Sequence, residues 1–198
     1  MALSHSGHPR GVGAKSVSGR VFLLGVALLL SAIGFAQEDK TWLLVDTQKL
    51  TLSVMQGNTV RQIYEGISIG RAGAAADKRR GDDKTPLGQF HIVRITADTP
   101  FRRFFGLDYP TLEHAQRALS AGVITPHQYA AIRHFHELGQ VPPQATPLGG
   151  YIGIHGLGEG DVRIHEDFNW TNGCIALTNE QIDDLAQWIR IGMRVIVR

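Results

Sequence analysis

Between Trp42 and Ile95 the chain offers short runs of β-formers and no helical period, which restricts its front half to a sheet. Trp42 to Val54 reads W-L-L-V-D-T-Q-K-L-T-L-S-V, two such runs around a polar Asp46–Lys49 turn, the signature of a hairpin. Val60 to Ile69 alternates apolar and polar residues and breaks at Gly70. Residues 71–88 are Gly-rich and charged and fit no periodic element, and Gln89 to Ile95 resumes a strand. The front half therefore reads as a β-meander.

The period changes after Pro110. Thr111 precedes L-E-H-A-Q-R-A-L, with His114 where a capping box would place an acid. Thr125-Pro126 opens a second helical stretch ending near Leu138, and Gly122 joins the two. Residues 111–138 thus form a helical insertion in a β-domain, closed by Pro142-Pro143. Strand character returns at Gly150 to His155, and a polar loop is expected from Gly156 to Asn172. Thr178-Asn179 caps a last helix, Glu180 to about Ile191, and Met193 to Val197 closes as a strand. The fold class is mainly β (α+β).

With 198 residues, 43% hydrophobic and 19% charged, the composition is that of a globular chain with one core. The net charge of +2 is spread along the chain, so nothing points to nucleic acid as a partner. Residues 1–36 differ from the rest. Arg10, Lys15 and Arg20 precede an apolar run from Val21 to Leu30, and Gly34-Phe35-Ala36 ends it with small residues. That order describes a secretory signal peptide, with an uncleaved anchor as the alternative. The expectation is a domain over residues 37–198 working in the periplasm or cell envelope, touching the membrane only through an uncleaved signal peptide.

Export makes the single cysteine, Cys174, conspicuous, because an unpaired thiol outside the cytoplasm is either a small buried hydrophobe or a reactive group. A reactive thiol needs a base and backbone N–H donors aimed at the developing oxyanion. Gly173 keeps the backbone beside Cys174 approachable, so its N–H is a candidate donor. His155 ends an apolar strand beside Gly156 and is the favoured base. His165, amid Glu166 and Asp167, reads as a solvated surface residue, as do His134 and His136 in the second helix. A zinc site from His155, His165 and Cys174, assisted by Glu166 or Asp167, competes, but no C-x-x-C or short His pair supports it. No metal or cofactor is called.

Ile154-His155-Gly156, a loop of Gly156 to Trp170, then Thr171-Asn172-Gly173-Cys174-Ile175 resembles the signature of the L,D-transpeptidase (YkuD-domain) family. Gly81-Asp-Asp-Lys-Thr-Pro-Leu-Gly-Gln-Phe90 is similar to the family's second hallmark, and Thr146 to Gly156 also resembles family members. The resemblance covers about Trp42 to Arg198. It implies a β-sandwich-like catalytic domain with the two-helix insertion and a C-terminal helix. It further implies Cys174 as nucleophile, His155 as base and the Gly156 carbonyl as orienter of the imidazole. Gly173 and Thr171 match motif positions. Thr171, Asn172, Arg163 and Tyr151 are the expected substrate-binding residues.

The implied partners are peptidoglycan stem peptides. The Cys174 thiolate would attack the carbonyl at the L-centre of the third stem residue, meso-diaminopimelate. The thioester would then pass to an amine of another stem, a D-amino acid or a lipoprotein lysine. With water as acceptor the same site is an L,D-carboxypeptidase or amidase. A non-catalytic wall-binding or zinc-binding protein is the remaining alternative. Two positions depart from the family pattern: Asn172 replaces the usual His, and Ala176 stands where many members carry Arg or Asn. Arg163, Arg71 or Lys84 could supply the missing cation. Helices 111–138 either wall the cleft or stand apart from it.

Overall fold

The computed structural model describes residues 40–198, which belong to a single unit, Ala36–Arg198. The expected signal peptide lies outside the described residues. Strands β1 (Thr41–Asp46), β2 (Thr51–Gln56) and β3 (Thr59–Glu65) form the front meander. Two short strands, β4 (Ala74–Ala75) and β5 (Thr85–Pro86), pair across the Gly-rich stretch. Strands β6 (Gly88–Thr99) and β7 (Arg102–Leu107) follow, then helices α1 (Leu112–Ser120) and α2 (Pro126–Glu137). The chain continues through β8 (Gly153–His155), α3 (Val162–Asp167), β9 (Ile175–Ala176), α4 (Asn179–Ala186) and β10 (Arg194–Val197).

Eight strands make one mixed sheet in the order β3-β2-β1-β10-β6-β7-β8-β9. The last strand, β10, lies between β1, with which it runs parallel, and β6. Strand β6 serves both halves of the sheet. Gly88 to His91 pair with β10 and Ile92 to Thr99 with β7, with register shifts between Ile92 and Arg94 and between Ala97 and Thr99. A bulge re-aims side chains. Phe90 and Ile92 are buried, whereas Arg94 and Ile95 are exposed. Leu43, Val45, Leu52, Val54, Phe90, Val195 and Ile154 form the core, joined by Ile182 and Leu185 of α4 and Ile132 of α2. Burial of this apolar surface is the main favourable term in folding.

Three expectations need correction. Strand character extends to Thr99, and β7 follows a turn with Asp98 and Arg102 at positive φ, where no Gly marks a reversal. The supposed polar loop 156–172 contains α3, opened by Asp161, whose carboxylate accepts from the Arg163 N–H at 2.9 Å. The last helix ends at Ala186, because Trp188 and Ile189 N–H groups bond three residues back and Gly192 at φ 80° turns the chain.

The insertion packs against the Gly-rich stretch and the start of β6. Thr111 takes the N-cap backbone position of α1, but its hydroxyl bonds the His114 ring at Nδ1, 2.7 Å away, rather than a helix N–H. His114 Nε2 lies 3.0 Å from the Leu87 carbonyl, so Nε2 carries the proton and Nδ1 accepts from Thr111. The ring stacks on Phe90 at 5.5 Å and meets Tyr109 edge-on at 5.0 Å. Burial holds its pKa down to about 4, and the positive charge of Arg117 acts the same way. In the unfolded chain this histidine binds a proton near pH 6.5, so between about 6.5 and 4 the unfolded state carries the extra proton and stability falls with falling pH. The loss due to His114 approaches about 3 kcal/mol by the foot of that window. Thermal unfolding from neutral pH to about 4 should therefore show a flatter pH dependence for His114→Gln than for the wild type. Identical slopes would show that folding leaves the ring's titration unshifted.

Candidate active site

Parallel pairing of β8 with β9 sets Ile154 opposite Ile175 and His155 opposite Ala176, which brings Cys174, just before β9, to the start of β8 beside Gly153. His155, Cys174, Tyr151, Asn172, Trp170, Phe101 and Arg94 line one cleft of ≈ 500 Å³. His155 is only 3% exposed, and its ring is packed by Phe101 at 4.5 Å, Trp170 at 5.8 Å and Phe104 at 6.4 Å. Its Nδ1 lies 2.7 Å from the Gly156 carbonyl. A carbonyl accepts only, so Nδ1 bears the proton and Nε2 keeps a lone pair. This is the orientation expected for Gly156.

Burial lowers the His155 pKa, opposed by the Gly156 hydrogen bond. Cys174 is half-buried, and desolvation pushes its thiol up to about 11; the Gly153 N–H and the Lys78 ammonium act in the opposite direction. The S–H points to the Tyr151 carbonyl at 3.4 Å. Both shifts favour a neutral thiol beside a neutral imidazole at rest. Such a pair suits general-base proton transfer rather than chemistry from a standing thiolate–imidazolium pair.

The turn that carries Cys174 is held from below. The Gly173 N–H donates to Thr171 Oγ1 at 3.0 Å, and that hydroxyl donates to the Cys174 carbonyl at 2.7 Å. Gly173 has φ 129°, and a Cβ there would lie 2.5 Å from the Lys84 carbonyl and 3.0 Å from Lys78 Nζ. Only glycine fits. The turn thus rests on the Gly81–Pro86 loop, and the two separate sequence motifs form one structure. Arg71 ties its edge, with Nη2 on Asn172 Oδ1 at 2.9 Å and Nε on Asp83 at 2.8 Å.

Other expected residues fall in different places. Tyr151 borders the cleft with its side chain largely in solvent, and Asn172 is exposed there. Thr171 is buried and its hydroxyl is committed to the turn, so it positions Cys174 rather than binding substrate. The Gly173 N–H, expected as an oxyanion donor, is spent on Thr171. Arg163, expected at the substrate, pairs with Asp161 on α3 and does not line the cleft. His165 is not a surface residue: it is 4% exposed, with Nδ1 accepting from Trp170 Nε1 at 3.3 Å. Ala176 is fully buried. Among the described residues no cluster of three His, Cys, Asp or Glu is gathered for a metal. No residue of the helical insertion lines the cleft. Arg94, which the sequence reading missed, is the one cation among its lining residues. Its place depends on the bulge in β6, for which the sequence carries no local signal.

The family model YkuD, described as the L,D-transpeptidase catalytic domain, matches residues 40–197. No curated protein matches the chain. Among solved structures, the helical cell shape determining protein Pgp2 from Campylobacter jejuni is similar over 83% of this chain and 52% of its own, at 22% identity and TM-score 0.54. Bd1075 from Bdellovibrio bacteriovorus is similar over 81% and 48%, at 19% identity and TM-score 0.50. The chain spans about half the length of these structures, and the likeness is one of fold.

Because the Cys174 thiol is held up to about 11, its alkylation by iodoacetamide should be slow near neutrality and rise about tenfold per pH unit toward that value. Intact mass against time at several pH values checks this. A rate already at its plateau near neutral pH would show a standing thiolate.

Proposed function

The chain belongs to the L,D-transpeptidase catalytic domain family, and from that premise we propose that it is an exported cysteine acyltransferase acting on peptidoglycan stem peptides. The observation that carries this reading is the shared cleft of Cys174 and His155, with His155 Nδ1 held by the Gly156 carbonyl so that Nε2 is left to act as base. The basic, apolar, small-residue order of residues 1–36 supports export.

In this mechanism His155 Nε2 takes the Cys174 proton as sulfur attacks the carbonyl at the L-centre of the third stem residue. The tetrahedral intermediate collapses, the departing D-alanine amine takes the proton from His155, and a thioester remains. An incoming amine loses a proton to His155, attacks the thioester and releases the thiol. Arg94 supplies the cation for a stem-peptide carboxylate in the cleft. Tyr151 and the Asn172 amide complete the peptide-binding rim.

One observation favours water as the acceptor. Asn172 stands where the family pattern has a His, and an amide cannot take a proton from an incoming ammonium. The L,D-carboxypeptidase is therefore the second reading. Incubation of the protein with disaccharide tetrapeptide and an added D-amino acid separates the two. Exchange of the terminal D-alanine, or a crosslinked dimer, is the expected product by mass. Tripeptide alone assigns hydrolysis. Cys174→Ala should abolish either product, and His155→Ala should lower the rate by about 10²–10⁴-fold. Full activity of Cys174→Ala would overturn the proposal.

A further inference from the structure

Beneath the nucleophile turn lies a charge that the mechanism above does not use. Lys78 is 3% exposed. Its Nζ donates to Asp82 Oδ1 at 2.8 Å and to the Asn172 carbonyl at 3.3 Å, with the Arg79 carbonyl at 3.5 Å. Asp82 is itself fixed by the N–H groups of Arg79 at 2.7 Å and Lys84 at 3.1 Å. A buried cation is costly unless paired and hydrogen-bonded, and this one is placed so that a bond remains for the turn.

We propose that the Lys78–Asp82 ion pair is the positioning device of the nucleophile, with Lys78 holding the Asn172–Gly173 peptide and placing positive charge behind Cys174. This rests on the reading of Cys174 as nucleophile. The hydrogen bonds form one directed chain. Lys78 Nζ donates to the Asn172 carbonyl, the N–H of that same peptide donates to Thr171, and Thr171 donates to the Cys174 carbonyl. Each bond polarises the next, so the ammonium stiffens the whole turn. The same charge favours the sulfur anion that forms as the proton leaves for His155. Arg71, paired with Asp83, meets the turn at the Asn172 side chain, and His155, Tyr151 and Arg94 line the cleft beside Cys174, whereas Lys78 bonds the Asn172 carbonyl itself.

Other variants of the segment would blur packing and charge, so the test compares Lys78→Arg, which keeps the charge, with Lys78→Gln, which keeps only a donor. Circular dichroism and thermal melts confirm folding, and the alkylation rate of Cys174 by iodoacetamide is then followed from neutral pH upward. Lys78→Gln should react at least about tenfold more slowly at each pH below the wild-type inflection, and Lys78→Arg should stay within about threefold of the wild type. Rates for Lys78→Gln that overlay the wild type, or equal losses in both variants, would overturn the proposal. If Lys78→Gln does not fold, Lys78→Met combined with Asp82→Asn removes the buried pair as a unit and is read the same way. A Cys174→Ala protein that still turns over stem peptides removes the nucleophile reading itself, and this proposal with it.

Discussion

The contact of Gly173 with the Gly81–Pro86 loop organises the site. A backbone that admits no side chain at residue 173 lies against the Lys84 carbonyl, and the next residue, Cys174, is thereby set at the start of β8. The surrounding connections serve this contact. Gly70 N–H bonds Thr85 Oγ1 from one side, and Thr171 exchanges backbone hydrogen bonds with Ile69 and Arg71 on the other. Ser68 and Asn169 side chains pin the chain entering the turn. The motif around Cys174 and the motif around Asp82 therefore belong together for a steric and electrostatic reason: each supplies the surface that the other lacks.

The insertion acts on this arrangement at one remove. It lines no part of the Cys174 cleft, yet Arg117 of α1 holds Asp77 at 3.0 Å and the Ala76 carbonyl at 2.9 Å, directly before Lys78. Tyr109, against which His114 packs, bonds the Leu148 carbonyl at 2.9 Å on the chain leading to β8. The helices thus brace both approaches to the site without meeting a ligand in the cleft. His155 is restrained differently, by three aromatic rings and one carbonyl, so its orientation is set by packing as much as by hydrogen bonding.

Much of this was legible in the chain. The hairpin, the two insertion helices with the Thr125–Gln128 capping box, and the Thr178 cap follow from local periodicity and cap chemistry. Cys174, His155 and Gly156 stand out because an unpaired thiol and a strand-end histidine are locally unusual. What was hidden depends on contacts distant in sequence. Nothing near Lys78 indicates that its charge is buried, since its partner in the turn, Asn172, comes almost a hundred residues later. His165 reads as solvated among acids until α3 turns it toward Trp170. Arg94 changes face through a bulge that no Gly or Pro announces.

The pairing of β1 with β10 bears on when the site can exist. Leu43 to Val45 lie beside Val195 to Val197, and the Arg198 carbonyl accepts from the Thr47 N–H, so the centre of the sheet is closed by segments far apart in sequence. Contacts of such long sequence separation form late, after the entropy of closing the intervening loop has been met. Before that pairing forms, Cys174 lacks the burial that raises its thiol, which then titrates nearer its ordinary value. An unclosed sheet therefore exposes a more readily ionised sulfur than the finished domain does.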